Sequence, residues 1–182
     1  MIISARETDE GLVSIRLLHE FASGEVSPDK VRDLWVEFCK HDVLFSDQTK
    51  GKFSVFFDSF RDPRSVWFEL VREEDQKILG VMMANKIILG FDGFGHFAIW
   101  NGKARKKEPL FHDGLNWAFN RYKLHRMTAE VPAYQSGVIR FVERIGFKKE
   151  GVKREAVVKD GSWIDLTMFG ITLDELQEAR NG

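Results

Sequence analysis

One cysteine stands among 182 residues, and that scarcity excludes something. A lone cysteine cannot close a disulfide within the chain, so no bridged framework holds the fold and a reducing cytoplasm is the expected setting. Cys39 sits in a helical pattern beside Trp35 and Phe38 and is expected to be a small buried apolar residue. The five histidines, with that single cysteine, show no metal-ligand spacing, so no metal site is expected. No apolar run approaches the roughly 18 residues that a bilayer span needs. Residues 1–10 carry Arg6, Glu7, Asp9 and Glu10 and lack the apolar core of an export signal, which predicts a soluble chain with no membrane partner. Charge of one sign is lacking too. With 27 Lys plus Arg against 28 Asp plus Glu, the net charge is -1, which excludes whole-chain attraction to nucleic acid and leaves only a local basic patch for it. There is no Gly-x-Ser-x-Gly elbow and no Walker loop.

What is present is a core. Hydrophobic residues make up 43% and aromatic residues 13% of the chain, enough to predict one domain over residues 1–182. Residues 12–18 read as a first strand. Ser27-Pro28-Asp29 supplies an N-cap, a proline at the first helical position and an acid in the first turn, and Val31, Leu34, Trp35 and Phe38 follow on one face. A second stripe, Phe53, Phe56, Phe57 and Phe60, predicts a short helix ending before Asp62-Pro63. Residues 66–71 and 77–89 read as a hairpin. Residues 94–100 form the next strand, with His96, Ala98 and Trp100 on one face and Phe97 and Ile99 on the other. A basic loop then leads into a helix marked by Phe111, Leu115, Ala118 and Phe119. A strand at 124–131 and a helix through Val138, Phe141, Val142 and Ile145, closing at Gly146, come next. Asp160-Gly161 marks the turn of a last hairpin, and a short helix ends the pattern. Hairpins mixed with strand–helix–strand crossovers require an α/β chain with a mixed, mostly antiparallel sheet of about six to seven strands and helices on both faces.

The stretches LHRMTAEV (124–131), GVIRFVERIGFKKEGV (137–152) and KDGSWIDLTMFGI (159–171) resemble the final third of the GCN5-related N-acetyltransferases (GNAT), most closely the branch that modifies ribosomal-protein amino termini. The resemblance implies a GNAT-like fold in which two central strands splay apart to admit acetyl-CoA as co-substrate. It places main-chain groups of Ile99 and Trp100 against the pantetheine arm. It also implies a pyrophosphate loop of Gln or Arg, two residues, Gly, any residue, Gly or Ala, which presents backbone amides at a helix start to the phosphates. That loop falls on Asn101, Gly102, Lys103, Ala104, Arg105 and Lys106. Asn101 replaces the first residue, Ala104 the first glycine and Lys106 the second. Lys103, Arg105, Lys106 and Lys107 offer side-chain charge to the phosphates in place of glycine's close approach. Gln135 stands where many relatives place a cofactor-contacting Asn, and Val138 where they place Ser.

The family's chemistry needs an acid near the sulfur and a base near the amine. Tyr134 and Ser136 are the nearest hydroxyls by pattern, and a phenol is the more acidic; capping by Ser136 or packing by Tyr134 is the other reading. His96 or Glu69 is the candidate base. The implied acceptor is a primary amine on a protein or a small molecule, in a pocket bordered by Phe53, Phe56, Phe57 and Trp67, with Asp42, Asp47 and Asp58 as acids that would attract a cation. A binding or structural module that has lost acetyl transfer is the alternative, motivated by Ala104 and Lys106. Neither reading specifies the oligomer; a dimer is compatible with both.

Overall fold

The computed structural model describes residues 1–20, 27–41, 46–100 and 107–181. These form an eight-stranded sheet with helices on both faces. In chain order the elements are β1 (Ile2–Thr8), β2 (Gly11–Glu20), α1 (Pro28–Cys39), α2 (Phe53–Arg61), β3 (Val66–Arg72), β4 (Lys77–Ile88), β5 (Asp92–Ile99), α3 (Glu108–Tyr122), β6 (Arg126–Pro132), α4 (Ser136–Arg144), β7 (Lys148–Lys159), β8 (Ser162–Thr172) and α5 (Leu173–Asn181). The spatial order is β1-β2-β3-β4-β5-β6-β8-β7. Among the described strands only β5 and β6 pair in parallel, because α3 connects them and a crossover returns the chain in the same direction.

The strand count exceeds the expected six to seven by β1. Its sequence, IISARET, is half polar and mostly exposed; as an edge strand it covers little core, so it carries no strong alternation. The centre behaves differently. Six of the seven residues of β3 are buried, since both of its faces are covered.

Two apolar layers sandwich the sheet. Val31 and Leu34 of α1 and Phe60 of α2 pack on Trp67, Val81 and Ala98. On the opposite face Phe111, Leu115 and Phe119 of α3, Phe141 and Val142 of α4 and Leu176 of α5 cover Phe68, Leu70, Met82 and Ala129. The expected alternation on β5 is present: Ala98 lies against the α1–α2 layer, while Phe97 and Ile99 pack with the other. Cys39 departs from expectation. It ends α1 on the outer side and is exposed, because the apolar stripe of that helix runs through Val31 and Leu34 instead.

The last hairpin turns as its sequence requires. Asp160 and Gly161 both have positive φ, 51° and 76°, the pattern of a tight two-residue turn that matches strand twist. This tip is fastened to the segment before α2: the amides of Asp160 and Gly161 each donate to the Asp47 carboxylate at 2.9 Å, and the Asp47 amide donates to Val158 O at 2.8 Å. The two backbone bonds hold the Asp47 carboxyl below the usual range. Asp47 is therefore a turn clamp and not an acceptor-attracting acid.

Candidate active site

The parallel pair β5–β6 is joined at one registered position, Phe94 with Thr128. Beyond it the described strands diverge and a cleft of about 450 Å3 opens between them and runs under α1 and α2. Its floor is Val81, Met83 and Ala98, and its far wall is Ala129, Val131 and Leu166. The remaining sides come from α1, α2 and the start of α4.

Backbone parity decides which groups of β5 face the gap. Residues of an antiparallel strand alternate between bonding their neighbour and pointing away from it. The amide of Trp100 donates to Leu79 O at 3.1 Å, which assigns the even-numbered residues of β5 to β4. The main-chain groups of Phe97 and Ile99 are thus directed to the side where β6 has departed. A strand edge left open in this way binds an extended, amide-bearing chain through backbone hydrogen bonds. Ile99 is one of the two residues whose main-chain groups are so directed. Trp100 is not: its amide belongs to the β4 ladder, its indole Nε1 donates to Ile78 O at 3.1 Å, and its ring packs on Phe38 and His41. The other is Phe97, a residue that sequence alternation alone could not select because parity depends on register.

His96 lines the cleft. Its Nε2 lies 3.2 Å from Asn85 Oδ1; with that oxygen accepting, Nε2 carries the hydrogen and Nδ1 the lone pair. The ring is solvent-accessible where it opens onto the cleft, and protein atoms crowd around it. That desolvation, with the charge of Lys86 second, lowers the imidazole to about 4. His112, which meets Ile145 O at 3.1 Å, is lowered as well, first by burial. Both histidines bind protons more readily in the unfolded chain, where the value is about 6.5. Their contribution to stability is therefore complete above pH about 6.5 and is lost as pH falls through the folded values. Thermal unfolding midpoints are expected to be level above about pH 7 and to fall between about pH 6.5 and 4, and His96→Asn is expected to flatten part of that fall.

Tyr134 and Gln135 also line the cleft, at the turn between β6 and α4. Tyr134 is 39% exposed at the rim, and Gln135 Nε2 reaches its hydroxyl at 3.5 Å. Gln135 is the N-cap of α4 through its carbonyl, which accepts from Val138 and Ile139. Ser136 is the first helical residue, exposed and outside the cleft lining. Glu69 is likewise outside the lining and pairs with Lys30 at 2.7 Å. The structure thus brings His96, Tyr134 and Gln135 to one cleft and leaves Ser136 and Glu69 elsewhere.

A family model described as an acetyltransferase (GNAT) domain matches residues 107–168. The Bacillus subtilis protein named probable N-acetyltransferase YjcK is 31% identical over 109 residues, 57% of this chain and 60% of that protein. The ribosomal protein uS5-alanine N-acetyltransferase of Escherichia coli is 23% identical over 119 residues, 63% of this chain and 61% of that enzyme. In fold, Mycobacterium smegmatis RimJ in complex with CoA-disulfide superposes with a TM-score of 0.73 over 99% of this chain and 91% of that one, at 18% identity. Residues 107–168 thus match the GNAT acetyltransferase domain, and the chain shares the fold of that solved enzyme. The chain's matched segments span about three fifths of the two curated relatives' length.

Of the GNAT loop residues named from sequence, Asn101, Gly102, Lys103, Ala104, Arg105 and Lys106 lie outside the described residues. Lys107 is described, and it does not serve phosphate. Its side chain is fully buried and its Nζ lies 3.2 Å from Glu10 Oε2; at the start of α3 it is drawn under the β1–β2 turn, where a buried ammonium needs a counter-charge. Among the acceptor-side residues, Phe56 and Trp67 line the cleft, whereas Phe53 and Phe57 do not. Asp58 is exposed outside it, and Asp42 is not among the described residues. Glu130 was not anticipated. It lies on β6 in the cleft lining, and the signal was available: it is the one carboxylate in the run MTAEV, between the buried Ala129 and Val131.

Proposed function

We propose that this chain is an acetyl-CoA-dependent N-acetyltransferase that moves an acetyl group to a primary amine. The observation that carries this reading is the single β5–β6 pair at Phe94 and Thr128 followed by the open cleft, since an acyl carrier needs a slot that crosses the sheet. Continuous pairing of those strands would have favoured a binding or structural module instead. The pantetheine arm lies along Phe97 and Ile99, bonded to their main-chain groups, and Gln135 faces it from the start of α4. The phosphates sit at the amino-terminal end of α3, where unpaired amides and the helix dipole favour an anion; the preceding basic loop from Asn101 to Lys106 supplies positive charge.

The bound ammonium first releases one proton to solvent, and the free amine nitrogen then attacks the thioester carbonyl. A C–N bond forms, and the C–S bond breaks as the tetrahedral adduct collapses. His96, neutral at physiological pH, accepts the nitrogen's proton through Nδ1 as attack makes that N–H acidic. Tyr134 at the rim gives a proton to the departing thiolate, and solvent restores both groups. The described residues act as one domain in the cytoplasm, the compartment that holds the co-substrate, and no helix among them is long and apolar enough to cross a membrane. Turnover tests the reading: mixing protein, acetyl-CoA and a panel of primary amines is expected to release CoA thiol in step with N-acetyl product. Thiol release without acetylated amine, or none with any amine, would contradict it.

A further inference from the structure

The acceptor half of the cleft has a definite chemistry. Trp35 and Phe38 of α1, Phe56 of α2 and Trp67 of the sheet line it together. The Phe56 ring lies 5.3 Å from that of Trp35, 5.1 Å from Phe38 and 5.7 Å from Trp67, so these rings form one continuous aromatic wall. Charge is sparse. Lys52 and Glu130 are the formally charged side chains in the described lining, and Glu130 is only loosely engaged, 3.9 Å from the half-exposed Lys153. No cluster of three acidic or metal-ligating side chains exists among the described residues. The roof is fastened as well: Ser46 and Thr49 line one side and Val157 and Leu166 the other, and Asp47 clamps the two sides together through the tip of the β7–β8 hairpin.

We infer that the acceptor is a small primary monoamine with an apolar body, its ammonium beside Glu130 and its aromatic or branched aliphatic body laid against the wall of Trp35, Phe56 and Trp67. The inference rests on the acetyltransferase reading and adds the substrate class to it. One carboxylate matches one ammonium; a polyamine would place its further charges against aromatic walls and beside Lys52, at a desolvation cost with no partner to offset it. A short hydrophilic amine would leave those walls unfilled.

Phenethylamine, ethanolamine, spermidine and an alanine-initiated peptide are suitable probes, each followed by CoA thiol release and, separately, by quenching of tryptophan fluorescence without acetyl-CoA. The expected result is a kcat/KM for phenethylamine at least about tenfold above each of the others, the discrimination that a filled apolar pocket supplies, with saturable quenching by phenethylamine. Glu130→Gln is expected to raise its KM about tenfold with a smaller change in kcat, and Glu130→Asp to restore part of the loss. Turnover that favours spermidine, ethanolamine or the peptide overturns the inference while leaving acetyl transfer intact. Quenching by phenethylamine with no turnover of any amine upholds the pocket chemistry and overturns the acetyltransferase reading. No quenching and no turnover overturns both.

Discussion

Replacing Gly80 with alanine is expected to destabilise the protein by about 3 kcal/mol, the upper end of what overpacking costs. Gly80 lies on β4 opposite Ile99. A Cβ there would stand 2.4 Å from Ala98 O and 3.1 Å from Ile99 Cα. Both obstacles are backbone atoms, so no side-chain rotation relieves the clash and β5 itself must move. Since the main-chain groups of Ile99 are directed to the side of β5 away from β4, the same substitution is expected to weaken acetyl-CoA binding in the fraction that still folds. Gly151→Ala is the control: it is also a strand glycine, with nothing within 4 Å of the added Cβ. Urea unfolding of the two variants beside the wild type measures the difference; equal stabilities would show that β5 tolerates the shift.

His96→Ala is expected to lower kcat about 100-fold, within the range for loss of a positioned base, with the KM for acetyl-CoA nearly unchanged. Glu69→Gln should leave the rate within about threefold, because Glu69 faces Lys30 and not the cleft. The pH profile separates His96 from a histidine that titrates at the ordinary value of about 6.5. With its pKa near 4, the wild-type rate should show no inflection near 6.5 from this group. Steady-state kinetics of both variants from acid to neutral pH checks the pair of expectations, and equal effects at Glu69 and His96 would remove His96 from the role of base.

Local features of the sequence were legible because local geometry sets them. The Asp160-Gly161 turn, the proline-started α1 and the Phe56–Phe60 stripe of α2 each follow from residues within one element. β1 was not legible, since an edge strand with one polar face carries little periodic signal. The direction of the Trp100 and Phe97 main-chain groups was hidden for a different reason. Which backbone amides point at the gap depends on how β5 registers against β4, and register is a long-range property. Burial explains Lys107, whose basic neighbours in sequence imply a phosphate contact while its fold position turns it toward Glu10. The cleft itself is a relation between β5 and β6, separated by all of α3, so only the family resemblance anticipated it. Glu130 stood in plain view as a carboxylate within a buried strand, yet its meaning required the cleft.

A calorimetric titration of acetyl-CoA into the wild-type protein tests the central claim, that the gap between β5 and β6 is an acyl-carrier slot. The account predicts one site per chain with micromolar affinity, weakened when Lys103, Arg105 and Lys106 are replaced together. No heat of binding up to millimolar acetyl-CoA, from protein shown to be folded, would contradict it.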